Sequence, residues 1–174
     1  MRLFVAAVLP DEVRDALAET SALLRECVRG RYVAPDSFHV TLAFLGEVAG
    51  NRVDDACAAL DRACADCGQF SVSLGGLGSF GKRSKATLWQ GFADAGELPE
   101  LARAVRDELR AAGFSFDEKS FRAHVTLMRA ANVAEGSLPM PVLAEGCISS
   151  ATLFRSDLSG GRPVYEPLHS VQLC

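Results

Sequence analysis

Two stretches of this chain could do acid–base chemistry. His39-Val40-Thr41-Leu42 and His124-Val125-Thr126-Leu127 are the same tetrapeptide, 85 positions apart from 39 to 124 in a chain of 174 residues. Each stretch has strand-like composition, and side chains at i and i+2 of a strand leave the same face. Each copy therefore presents an imidazole and a hydroxyl together, with Val and Leu turned the other way into a core. If the two strands face each other, two His and two Thr converge on one cleft. That set suits a phosphodiester. One imidazole can deprotonate water while the other protonates the leaving oxygen, because both titrate near working pH. The two hydroxyls can donate hydrogen bonds to the non-bridging oxygens, where charge builds up in the transition state. A single such His would more simply be a structural residue on a strand. Only three histidines are present, however, and two of them sit in identical tetrapeptides.

The elements that must hold these residues follow from periodicity. Arg2 to Val8 is a short buried strand. Pro10 and Asp11 open a helix with Val13, Leu17, Leu24 and Val28 on one face, and Gly30 stands where a C-terminal glycine cap is expected. Phe38 to Leu45 is a strand, with Phe38 on the core side. A second helix spans about Asn51 to Cys67 and is closed by Gly68. Phe70, Val72 and Leu74 alternate as a strand does. Gly75 to Lys85 is expected as a flexible loop, Ala86 to Phe92 as a strand, and Leu98 to Leu109 as a helix ending at Gly113. Phe121 to Met128 is a strand, and two or three more follow Val142, with a turn at Ser159-Gly160-Gly161. This order is an α+β pattern, and no Pro- or Ser-rich linker divides residues 1–174 into separate domains.

Composition narrows the partners. Apolar residues make up 49% and charged residues 23%, as in a soluble globular protein with a sizeable core. The net charge of −4 does not suit a protein that grips long nucleic acid by counterion release. An RNA substrate would have to be held by its end, in a local pocket. The six cysteines are expected as reduced thiols, since a core of this size needs no disulfide staples. No signal peptide and no run long enough to span a bilayer is evident, so a cytoplasmic monomer is expected.

Among the basic residues, Arg122 shares the parity of His124 and is the expected cation for the phosphate. Lys119 and Arg129 are weaker candidates, and Arg129 has the wrong parity unless the strand twists or ends before it. Tyr165 either stacks on a base or packs. Gly76-Leu77-Gly78-Ser79-Phe80-Gly81 matches the dinucleotide fingerprint, and Lys82 nearly completes a phosphate-binding loop. Both need a helix directly after the glycines, and here a strand follows. Cys64-x-x-Cys67 lacks a second pair at metal-ligand spacing and falls on an apolar helix face. His169 lacks a Thr two residues on and is expected to be structural. No metal ligand set and no cofactor are expected.

The segment from Arg31-Tyr32-Val33-Ala34-Pro35 through Asp36-Ser37-Phe38-His39-Val40-Thr41-Leu42 to Ala43-Phe44-Leu45-Gly46-Glu47 resembles the first motif of the bacterial RNA 2′,3′-cyclic phosphodiesterases. These are also called 2′-5′ RNA ligase-like proteins, within the 2H phosphoesterase superfamily. Lys119-Ser120-Phe121-Arg122-Ala123-His124-Val125-Thr126-Leu127-Met128-Arg129 resembles the second motif, and Arg2 to Ala6 and Gly161 to Tyr165 also fit. The resemblance implies a bilobal fold, with two antiparallel sheets related by a pseudo-twofold axis around a central cleft and helices outside. It implies metal-independent hydrolysis of an RNA-terminal 2′,3′-cyclic phosphate to a 2′-phosphomonoester. His39 would be the proton donor to the departing 3′ oxygen, and His124 the proton acceptor that activates water; identical motifs cannot by themselves fix that order. Ala123 departs from the Pro that the family often has before its second His. Alternatives are a 2′-5′ ligase, an enzyme acting on a 2′-5′ oligonucleotide or small cyclic nucleotide, a non-catalytic nucleotide-binding module, and a two-histidine metal site. The last lacks a partnering carboxylate at ligand spacing.

Overall fold

Leu3, Val5 and Ala7 are fully buried on one face of the first strand, and Phe4 and Ala6 are buried on the other. A strand covered on both faces belongs in the middle of a sheet. In the computed structural model, which describes residues 1–134 and 136–174, β1 (Arg2–Ala7) lies between β3 (Val40–Glu47) and β8 (Ser150–Asp157). With β9 (Val164–Gln172) they form a four-stranded antiparallel sheet in the order β3-β1-β8-β9. The second sheet has five antiparallel strands in the order β2-β6-β5-β4-β7: β2 is Arg31–Tyr32, β4 Phe70–Phe80, β5 Ala86–Asp94, β6 His124–Ala131 and β7 Glu145–Ile148. Each repeated tetrapeptide thus belongs to a different sheet.

Three helices cover the outer faces. Helix α1 (Asp11–Arg25) buries Val13, Ala16, Leu17 and Leu24 and packs near β7. Helices α2 (Val53–Cys64) and α3 (Leu98–Ala111) pack on each other, α2 also against β8 and β9 and α3 against β3. The architecture is the expected α+β one of two antiparallel sheets with outer helices. The sheets are unequal, with four strands and five. Among the described residues no helix is long and apolar enough to cross a membrane.

Three local readings change. The first helix ends at Arg25, and Gly30 is not its cap. A Cβ at Gly30 would meet Met128 Sδ at 2.4 Å and Ala131 Cα at 3.0 Å, so this glycine permits close approach to β6. The second helix is shorter than its apolar pattern, since Gly50–Arg52 and the turn at Cys67 flank it as tighter, separate turns. Gly75 to Phe80 is no loop but the second half of β4, and only the residues after Phe80 turn back towards β5. Alternation is invisible there because glycines replace side chains. Gly78 leaves room for Trp89, whose ring atoms would lie 2.3 Å from a Cβ at that position.

Candidate active site

Strand alternation does what the tetrapeptides require. Val40, Leu42, Val125 and Leu127 are buried in the core, and His39, Thr41, His124 and Thr126 line one narrow gap. Val33, Ser37, Arg129 and Tyr165 complete its walls. His39 sits at the lip of β3, just after the tight helical turn Pro35–Ser37, and His124 opens β6.

The two imidazoles are held alike. Nδ1–H of His39 donates to the Ser37 carbonyl at 2.7 Å, and Nδ1–H of His124 donates to the Arg122 carbonyl at 2.6 Å. A carbonyl only accepts, so each Nδ1 carries the hydrogen and each neutral ring keeps a bare Nε2. In His39 that Nε2 accepts from the Thr41 hydroxyl at 3.0 Å. Aromatic rings brace both. Phe4 and Tyr165 lie 4.9 and 5.3 Å from His39, and Phe80 and Trp89 lie 5.1 and 5.8 Å from His124. Tyr165 packs edge-on against Phe4 and His39 while lining the gap.

Desolvation governs the titration of both rings. Burial lowers His39 from its ordinary value to about 4, against the opposing pull of the Ser37 carbonyl, and the positive charges of Arg129 and of a protonated His124 lower it further. His124 is also lowered, first by burial and then by Arg122 and Arg129, against the Arg122 carbonyl bond. Both imidazoles are therefore predominantly neutral at pH 7.

The basic residues are placed differently from the parity argument. Arg122 does not line the gap; its guanidinium lies over the Trp89 ring, 4.9 Å from the centroid. The strand begins only at His124, so strand parity does not extend back to Arg122. Arg129 does line the gap. Trp89 pairs with Thr126 and Leu88 with Met128, which leaves Leu127 as an extra residue. Leu127 and Met128 are consequently both buried, and this bulge turns Arg129 to the cleft side. Substituting Arg129 by Met should raise KM for a cyclic phosphate by about tenfold, in the range of one charge-assisted hydrogen bond, and Arg122→Met should raise it less. Steady-state kinetics on the two variants decides the order.

The remaining candidates lie elsewhere. Lys119 is exposed and pairs with Asp117 at 3.3 Å. His169 Nε2 contacts Asp61 Oδ1 at 2.7 Å and ties β9 to α2. Cys64 is buried, and burial pushes its thiol up to about 12. Among the described residues no group of three or more His, Cys, Asp or Glu is placed to hold a metal ion. The aromatic braces were not evident from the motifs, because Phe4, Phe80 and Trp89 come from strands remote in sequence from both tetrapeptides.

Two antiparallel sheets contributing matched His-x-Thr pairs to one gap define a cleft-type phosphoesterase architecture. Residues 8–89 match the family model described as LigT like Phosphoesterase. An RNA 2′,3′-cyclic phosphodiesterase of Thermus thermophilus is 31% identical over 182 aligned positions, covering 99% of this chain and 90% of that protein. One of the same name from Geobacillus stearothermophilus is 34% identical over 72% of this chain, and the match spans 41% of that protein's length. The crystal structure of Escherichia coli LigT complexed with 3′-AMP superimposes with a TM-score of 0.79 at 29% identity, covering 99% of this chain and 96% of that one. The chain belongs to the LigT-like phosphoesterase family of the 2H superfamily, and it is an enzyme.

Proposed function

We propose that this enzyme hydrolyses an RNA-terminal 2′,3′-cyclic phosphate to a 2′-phosphomonoester, by acid–base catalysis through His39 and His124 and without a metal. The observation that carries the reading is the matched pair of imidazoles, each oriented by a backbone carbonyl through Nδ1 and each lining the same gap with a Thr hydroxyl. The relatives' shared name and the nucleotide in the LigT complex support the substrate class.

In the proposed reaction the phosphate sits between the two imidazoles, beside Arg129. His124 Nε2 takes a proton from water, whose oxygen attacks phosphorus. The bond from phosphorus to the 3′ oxygen breaks, and protonated His39 delivers its Nε2 proton to that oxygen. The phosphate stays on the 2′ oxygen. Thr41 and Thr126 donate to the non-bridging oxygens. Thr41 can do so once His39 is protonated, because its O–H then finds no acceptor on the imidazolium and turns to the phosphate, leaving the Nε2–H for the 3′ oxygen. Phe80 packs on Trp89 and His124, and Arg122 lies over Trp89, so both stand behind the His124 wall, on the side where ribose and base would extend. The net charge of −4 also favours an RNA end or a small cyclic nucleotide over a long bound strand.

Turnover of 2′,3′-cyclic nucleotides and of short oligonucleotides with that end, with product analysis, tests the reading. The expected product is the 2′-phosphomonoester, formed at the same rate with EDTA present. A 3′-phosphomonoester, or loss of activity in EDTA, would overturn it. The pH dependence has a definite sign. Catalysis needs one ring protonated and the other neutral, and both free-enzyme pKa values lie below the ordinary 6.5. Hence kcat/KM should fall by about tenfold per pH unit above the higher of the two values. The bound anionic phosphate favours the imidazolium, so the kcat profile should be displaced to higher pH than that of kcat/KM.

A further inference from the structure

We propose that Arg106, on α3, is a positioning residue that sets the spacing between His39 and His124 by fastening the two histidine-bearing segments together. It touches neither imidazole. Its Nε donates to the Leu42 carbonyl at 2.9 Å, and Leu42 closes the first tetrapeptide on β3. Its Nη1 donates to the Lys119 carbonyl at 2.9 Å, on the segment that leads into His124. The guanidinium also lies 5.7 Å from the Phe121 ring, three residues before His124.

The placement makes this more than a surface contact. β3 is the edge strand of its sheet, and its outward carbonyls need donors. Arg106 supplies one at Leu42, and the Asp117 N–H supplies the next at Phe44, 3.3 Å away. The segment from Asp117 to Arg122 is thereby drawn along the edge of one sheet before it enters the other sheet as β6. The planar fork of arginine holds two carbonyls at a fixed separation, which a single ammonium on a flexible stem cannot do. Asp117 lies close enough to bear on the Arg106 charge and is itself paired with Lys119. The distance across the cleft therefore depends on a rigid link between its two walls. Misplacement of reacting groups by about 1 Å can cost roughly a hundredfold in rate.

The groups facing His39 from the opposite wall are His124 and Arg129, with Tyr165 from its own sheet. Burial and both opposing charges lower the His39 pKa, and the pull the other way, from the Ser37 carbonyl, is local to its own segment. Separating the walls removes the lowering influences and leaves the local bond. The test is NMR titration of the imidazoles in the substrate-free enzyme, with Arg106→Met and Arg106→Lys beside the wild type. We expect His39 to titrate measurably closer to 6.5 in Arg106→Met, with a smaller displacement in Arg106→Lys, which keeps the charge without the fork. If Arg106→Met does not fold, the Lys variant alone carries the comparison. A His39 titration identical to wild type in the folded variants would overturn the proposal. The catalytic consequence rests on the proposed reaction: kcat should fall roughly ten- to a hundredfold with little change in KM. Because the titration needs no substrate, a wild type that fails to open a 2′,3′-cyclic phosphate would sink the proposed reaction and leave the Arg106 result readable.

Discussion

Replacing His39 or His124 by Ala should lower kcat on a 2′,3′-cyclic nucleotide by about 10²–10⁴-fold each, while the protein stays folded. The size follows from the loss of a positioned acid or base. The double variant should fall little below the weaker single one, because the two rings act on one transition state and their effects are not additive. Folding should survive because the core faces of the two strands are carried by Val40, Leu42, Val125 and Leu127, which the substitutions leave alone. His39→Ala does remove a ring packed against Phe4 and Tyr165, so thermal unfolding of each variant should be measured alongside its kinetics. Wild-type turnover in either folded variant would contradict the assignment of these residues.

The second large effect is expected at the hydroxyls. Thr41→Val and Thr126→Val keep shape and strand propensity but remove a donor from the phosphate oxygens. Loss of one such donor costs about 10²–10³-fold in kcat where charge develops in the transition state. KM should change little, because the bond strengthens only as that charge builds. Thr41→Val should be the more damaging of the two. Its hydroxyl also bonds His39 Nε2 at 3.0 Å, so its removal disturbs the imidazole as well as the oxyanion contact. Equal kcat losses in the two variants would indicate that this bond has no part in catalysis.

The physics of strands explains what was legible in the sequence. Thr41, His124 and Thr126 lie in strands and His39 directly precedes β3, so the two-residue period brings the four side chains to one gap. The same rule fails one turn of the pleat further on. The bulge at Leu127 and Met128 moves Arg129 to the cleft, and no side-chain pattern announces a bulge. At Arg122 the rule was applied outside the strand that would make it valid. The glycine-rich stretch reads as a loop because Gly75 and Gly78 are there to admit the neighbouring backbone of β5 and Trp89, a relation between strands rather than along one. Gly30 is a parallel case: its partner Met128 is remote in sequence. The Arg106 link was equally hidden, since its acceptors are backbone carbonyls, which carry no sequence identity.

The central claim is that His39 supplies the proton to the departing 3′ oxygen and His124 activates water. A 2′,3′-cyclic phosphate with sulfur in place of the 3′ bridging oxygen tests it most directly. A thiolate leaves without a proton, so the need for a general acid disappears while the need for a base remains. Single-turnover rates of His39→Ala and His124→Ala on the oxygen and sulfur substrates would be compared with wild type. The account predicts that the sulfur substrate restores His39→Ala to near the wild-type rate and leaves His124→Ala as impaired as before. Restoration of His124→Ala instead would reverse the two roles, and restoration of neither would contradict acid catalysis by the histidine pair.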